Sequence, residues 1–243
     1  MGDNTVDQHE ADARMTWVFE NLGLIWQLTL QHLATALPAI VLSFVISIPI
    51  GWVANRFRRA RGTVLAASAL LYAIPSLPLF LVMPLIIGSG LRDSINVTIS
   101  LTVYGIALMA RSTADGLAAV DADVNQSATA VGFSAWSRFW RVELPLAGPV
   151  LLAGLRVVAV STISLTTVGA VLGIGSLGLL FTDGLQRSIP EEVLSGIILT
   201  IAVALVIDLI LVQLGRAIMP WSRVKSGPAE GQFVTGTRRA VTL

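Results

Sequence analysis

Few side chains in this 243-residue sequence are equipped to make or break bonds, and their positions narrow the chemistry further. There is no cysteine, which excludes disulfides and thiolate catalysis. His9 and His32 are the only imidazoles, too few for a histidine-based metal site, and no metal-ligating residue is expected in this chain. Lys225 is the only lysine, and no glycine-rich loop precedes it. A phosphate-cradling loop needs its lysine inside G-x-x-x-x-G-K-[ST], so the chain cannot hold ATP in that way. Asp115, Asp121 and Asp123 lie close together and could in principle hold Mg²⁺ for phosphoryl transfer. As carboxylates near helix starts they are equally accounted for by solvation and the helix dipole, and that is the expectation. No catalytic residue follows from these groups. Energy for any work must come from another subunit or from a gradient.

The elements that carry these residues are apolar. Hydrophobic residues make up 54% of the chain, charged residues 13%, and mean hydropathy is +0.78. Soluble proteins average about 25% charged residues, so the solvent for much of this chain is expected to be a bilayer. The length suits one domain. The net charge of +1 gives no reason to expect nucleic acid as a partner. Residues Met1–Met15 carry Asp3, Asp7, Glu10 and Asp12, the wrong sign for a secretory signal, so the first apolar run is expected to be an uncleaved span.

An all-α integral membrane protein of about five spans is predicted, near residues 33–54, 64–88, 94–113, 146–170 and 194–217. A polar segment with an interfacial helix is expected over 1–28, the helix carrying Trp17 and Trp26 at headgroup level; a plain extension of the first span fits that stretch as well. From Gly62 to Leu91 there is no charge. A straight helix of that length would reach about 45 Å against a hydrocarbon core of about 30 Å. Pro75, Pro78 and Pro84 resolve the excess if the helix breaks around Ile74–Pro78. The glycine-rich stretch Val171–Phe181 is too short to span and too apolar for a free loop, which suggests a re-entrant or partly buried segment. The tail, 217–243, is low in hydrophobicity towards its end and is expected to be disordered.

Basic residues orient these spans. Eleven fall on one side: Arg56–Arg61, Arg138, Arg141 and the C-terminal group from Arg216 to Arg239. Three (Arg14, Arg92 and Arg187) fall on the other. The positive-inside rule then places the N-terminus outside and the C-terminus in the cytoplasm of a multi-pass protein of the cell membrane.

The longest polar yet patterned stretch is Gln126–Pro145, QSATAVGFSAWSRFWRVELP, within a predicted cytoplasmic loop 115–145. Gly132 permits a sharp turn there. Phe133, Trp136 and Trp140 follow at i, i+3 and i+7, spacing that would place them on one helix face, and Pro145 is expected to end that helix and open the next. Such a loop fits either a helix-in-groove contact with a protein or an amphipathic segment resting on headgroups.

This stretch resembles the cytoplasmic loop of permease subunits of binding-protein-dependent ABC importers, whose pattern is E-A-A-x-x-x-G-x₉-I-x-L-P. Gly132, Val142, Leu144 and Pro145 match its spacing, Ala128 is in place, and Gln126 and Ser127 stand where Glu and Ala are usual. The similarity extends over about Thr29–Arg216. The IPSLP stretch at Pro75 and the GIGSLG stretch at Gly175 look most like the osmoprotectant branch, which imports glycine betaine, choline or carnitine. The resemblance implies a type I importer transmembrane domain over 29–216. Gln126, Ala128, Gly132, Phe133, Trp136, Trp140, Leu144 and Pro145 would be its docking surface for an ATP-binding subunit. ATP and Mg²⁺ would sit on that partner, with no cofactor in this chain. Further partners implied are an extracytoplasmic substrate-binding protein and a second copy or sister permease. A methionine-type amino-acid permease is the nearest alternative; a channel, a gradient-driven carrier or a scaffold is the alternative of another class.

Two charges lie inside predicted spans. Arg156 and Asp208 each sit about 14 Å from the inner surface by helical rise, a depth at which charges pair, line a cavity or snorkel. Ser161, Thr162, Ser164, Thr166 and Thr167 form a run of hydroxyls that could line a path for a polar solute or bond to neighbouring helices.

Overall fold

The computed structural model describes residues 17–222, and all regular structure among them is helical. Most of the predicted N-terminal segment and of the tail lies outside these residues.

Helix α1, Leu22–Arg56, is one 35-residue element, about 52 Å long at about 1.5 Å per residue. The expected interfacial helix is therefore not a separate unit. Its residues from Leu22 onward continue into the first span, because nothing between Leu22 and Ser47 except Pro38 interrupts backbone hydrogen bonding. A break comes just before the helix, at Asn21, whose Nδ2 donates to the Trp17 carbonyl at 2.8 Å. Pro38 and Pro49 both lie inside the helix, as membrane helices allow where neighbours pack around them.

Helices α2 (Arg58–Ala73) and α3 (Ser76–Ile87) meet at a 102° bend. Ile74 is extended (φ −68°, ψ 129°), the conformation imposed on a residue before proline. The bend frees the Ile74 carbonyl, and the Tyr104 hydroxyl donates to it. Tyr104→Phe is expected to leave that carbonyl unpaired at a cost of about 1 to 3 kcal/mol. The check is the midpoint of thermal unfolding of the purified protein, which should fall.

Helix α4, Ser94–Ala118, is the central post, with fully buried Val97, Leu101, Met109 and Ala114 and extensive contact with α1. It runs five residues beyond the predicted span end at 113. After α5 (Ala122–Ala130) and the single turn α6 (Ala135–Arg138), a π-helical turn Phe139–Glu143 leads directly into α7, Leu144–Thr166, and a 3₁₀ stretch to Leu172. The fourth span is thus the far part of one 38-residue helical rod, Ala135–Leu172. The remaining helices are α8 (Leu179–Gln186) and α9 (Pro190–Ile218).

Four helical stretches are long and apolar enough to cross a bilayer, and the bent pair α2–α3 makes five if it forms one broken span. Four apolar clusters hold them together. One joins Ala39, Phe80, Val97, Leu101, Tyr104 and Ile174; a second joins Met109, Leu117, Phe139, Ala147, Leu151 and Val158 at the opposite end. The other two join Ala36, Ile40, Ala159 and Ile163, with α9 packed against them, and Leu28, Leu177 and Leu180. Helix α9 stands at the margin: its most apolar stretch holds no fully buried residue, and it rests chiefly on α7 and α8 through half-buried Val203, Ala204, Ile207 and Leu211. A surface that apolar suits hydrocarbon or another membrane subunit.

Candidate functional site

The patterned loop is a rigid hairpin of short helices. Helix α5 begins at Asp121, whose Oδ1 accepts from the Asp123 N–H at 2.9 Å. It ends at Gly132, in the left-handed region (φ +99°). There the Gly132 N–H donates to the Thr129 carbonyl at 3.0 Å and the Phe133 N–H to the Ala128 carbonyl at 3.1 Å. This double closure is a Schellman motif, and its left-handed residue is the reason a glycine stands at that position. Ser134 then caps α6, its Oγ accepting from the Ser137 N–H at 3.3 Å.

Here the structure corrects two expectations. Phe133 lies in the turn before α6, so Phe133, Trp136 and Trp140 do not share a helix face. Phe133 lines a shallow groove of about 430 Å³ with Val124, Ala128, Val131 and Val142. Nor does Pro145 end one helix and begin another. The Leu144 N–H bonds to the Phe139 carbonyl five residues back, and the widened π turn lets the chain carry a proline without breaking.

The π turn also sets the aromatic geometry. Phe139 turns inward, 3% exposed, against Trp52 of α1 at 5.8 Å between ring centroids. Trp136 and Trp140 stay outside at 64% and 46% exposure, in edge contact with each other at 5.7 Å. Phe139 touches both, so the exposed indoles rest on a buried ring that is itself fixed to α1. Arg138 braces the hairpin from the other side. Its Nε donates to Glu143 Oε1 at 2.8 Å and its Nη1 to Thr129 Oγ1 at 2.6 Å, tying α5 to the rod. Gln126 is exposed on α5, while Leu144 and Pro145 are half-buried and line an apolar cleft of about 490 Å³ with Trp140, Phe44, Ile48 and residues of α9. The inward turn of Phe139 and the bond from Arg138 to Glu143 are not legible in the sequence. The glutamate five residues after the arginine was the only signal, and it becomes a bond only when the π turn forms.

The three aspartates do not form a cluster among the described residues. Asp115 accepts from Arg61 Nη2 at 2.6 Å, and Asp121 is a helix cap. Within the membrane segment, Arg156 and Asp208 form a two-pronged pair, Nε to Oδ1 at 2.6 Å and Nη2 to Oδ2 at 2.8 Å, joining α7 to α9. The hydroxyl run is divided. Thr162 and Thr166 are buried, with Thr166 Oγ1 donating to the Thr162 carbonyl, and Thr167 Oγ1 donates to the Ser164 carbonyl at 2.6 Å. Ser161 opens onto the cleft that holds Arg156 and Asp208.

A helical membrane body is also what the comparisons with known proteins return. The chain is 31% identical over 207 residues to the osmoprotectant import permease protein OsmW of Salmonella typhimurium, covering 84% of this chain and 96% of that protein. It is 29% identical over 229 residues to the glycine betaine/carnitine/choline transport system permease protein OpuCD of Bacillus subtilis, covering 94% and 96%. In fold it matches an inward-facing structure of the MetNI methionine ABC transporter, with a TM-score of 0.71 over 82% of this chain and 98% of that one, at 18% identity. Residues 47–223 match the family described as binding-protein-dependent transport system inner membrane component. That match covers most of the chain, and with a bilayer-length helical body and no means of binding ATP through a phosphate loop, the protein belongs to this family of inner-membrane transport subunits.

Proposed function

We propose that this chain forms the translocation pathway of an ABC importer for a small osmoprotectant, a quaternary amine such as glycine betaine, choline or carnitine. In this reading ATP and Mg²⁺ bind a separate subunit, and the hairpin from Asp121 to Pro145 docks on it. Gln126, Ala128, Gly132, Phe133, Trp136, Trp140, Leu144 and Pro145 are the proposed contact set. A substrate-binding protein outside the membrane delivers the solute, and a second copy or sister permease completes the path. The N-terminus lies outside and the C-terminus in the cytoplasm.

The observation that carries this reading is the mounting of the hairpin. Trp136 and Trp140 project from a rod that continues without a break into α7. A push on the indoles therefore moves a transmembrane helix as a rigid body, which is what transmission of ATP-driven closure requires. The choice of cargo is supported by the names of the relatives, which agree on osmoprotectants across almost the whole chain. The likeness to the methionine transporter, at 18% identity, supports the fold and not the cargo.

Uptake of radiolabelled glycine betaine by cells expressing the complete transporter tests the assignment. Unlabelled choline or carnitine is expected to compete, and methionine to have no effect. Competition by methionine with no effect of the quaternary amines would move the protein to the amino-acid importers.

A further inference from the structure

We propose that the cleft between α7 and α9 holding Arg156 and Asp208 is a binding site for a small zwitterionic solute, with the ion pair as its selective element. The pair lies deep. Arg156 is twelve residues into α7 and Asp208 ten residues before the end of α9, about 18 Å and about 15 Å from those helix ends by rise per residue. That is the middle of a hydrocarbon core of about 30 Å. The pair is nevertheless not sealed: the Arg156 side chain is 43% exposed and that of Asp208 is 20% exposed. A guanidinium that open is costly against lipid tails even when paired, and a polar path or another protein surface over the cleft relieves that cost.

The cleft has a volume of about 670 Å³, ample for a solute of ten or so heavy atoms. Its walls are the small residues Ala153 and Ala204, the hydroxyl of Ser161, and the apolar Val157, Ile201 and Leu205. The pairing with Asp208 occupies Nε–H and one N–H of Nη2, leaving three of the five guanidinium N–H groups for a ligand. Each Asp208 oxygen accepts one of those bonds and keeps further acceptor capacity on its outer side. The pair thus presents a fixed dipole with an open positive end and an open negative end. A solute carrying both a carboxylate and an alkylated ammonium can lie antiparallel to it, its carboxylate on the spare guanidinium N–H groups and its cationic end beside the aspartate. The apolar walls receive the methyl groups. Both partners are neutral overall, so no net charge enters the low-dielectric region, whose cost otherwise opposes charge transfer. A plain cation meets only the aspartate and must also approach the arginine, so the site discriminates against it. The solute class rests on the osmoprotectant reading above; the site itself is read by binding and not by transport.

The test is equilibrium binding of radiolabelled glycine betaine to the permease co-assembled with its ATP-binding subunit in nanodiscs, with no binding protein present. Saturable binding is expected, displaced by carnitine and about tenfold or more less well by choline, the usual difference for one lost charge-assisted contact. R156Q is expected to weaken betaine binding about tenfold or more and to bring betaine and choline close together. Because a half-broken pair can prevent folding, R156M/D208L replaces both charges with apolar groups, a change that buried pairs often tolerate. It is expected to co-purify with the ATP-binding subunit and to bind no betaine. The site is refuted if the wild-type complex shows no saturable binding, if choline binds as tightly as betaine, or if R156M/D208L binds betaine like the wild type. Intact zwitterion binding by a complex that takes up no quaternary amine would support the site and count against the transport assignment.

Discussion

Replacing Trp136 and Trp140 together by alanine is expected to lower uptake by about tenfold or more and to abolish co-purification of the ATP-binding subunit, with the permease still inserted in the membrane. Buried tryptophans dominate binding energy at protein contacts, typically by 2 kcal/mol or more, about thirtyfold, each. These two are adjacent and exposed in this chain, so truncating them removes contact area without opening a hole in the permease. Phe139 lies beneath them and keeps its packing on Trp52. Trp26→Ala serves as control, since that indole is equally exposed but sits on α1, far from the hairpin in sequence. The competing picture has the same rings resting among headgroups as a membrane anchor. It predicts intact co-purification and near-normal uptake by the double variant, and that result would remove the hairpin from the coupling mechanism.

The second large effect is on folding. Gly178→Ala is expected to deprive cells of most properly folded protein. A Cβ there would lie 2.0 Å from the carbonyl oxygen of Thr167 and 2.7 Å from its carbon. The obstacle is backbone of the rod where α7 turns into its 3₁₀ stretch, and it cannot rotate aside as a side chain can. Overpacking a core costs about 1–3 kcal/mol, and a backbone obstacle places this change at or beyond the upper end. The same substitution at Gly23 meets nothing within 4 Å and should be silent. Size-exclusion profiles of the two variants, followed by fluorescence of a fused reporter, separate the outcomes. A monodisperse Gly178→Ala peak at wild-type yield would mean that the glycine-rich segment packs differently from the structure described here.

Much of this architecture follows from one-dimensional facts. Uncharged runs of membrane length, the proline at 75 and the glycine at 132 each act locally: the bilayer makes the backbone amides of a span find partners within their own helix, a proline disfavours the helical conformation of the residue before it, and a glycine takes the left-handed turn that closes a helix. The break at Ile74 and the turn at Gly132 therefore occur where the sequence marks them. The helix-face reading of Phe133, Trp136 and Trp140 failed for the complementary reason. Periodicity assumes a single helical register, whereas the Schellman turn resets the register at Gly132 and the π turn resets it again at Phe139.

The run from Gln126 to Pro145 thus shows where the two kinds of information part. By itself the sequence determined that a patterned, aromatic, proline-bounded loop stands between two membrane-length helices, and that no phosphate loop exists to power the protein from within. Only the tertiary structure decided which rings face outward, because burial of Phe139 depends on Trp52, some ninety residues earlier. The same holds for the meeting of Arg156 with Asp208, 52 residues apart. Depth in the membrane can be counted along one helix; the rotation of two helices that brings a guanidinium and a carboxylate face to face is set by packing against all the others.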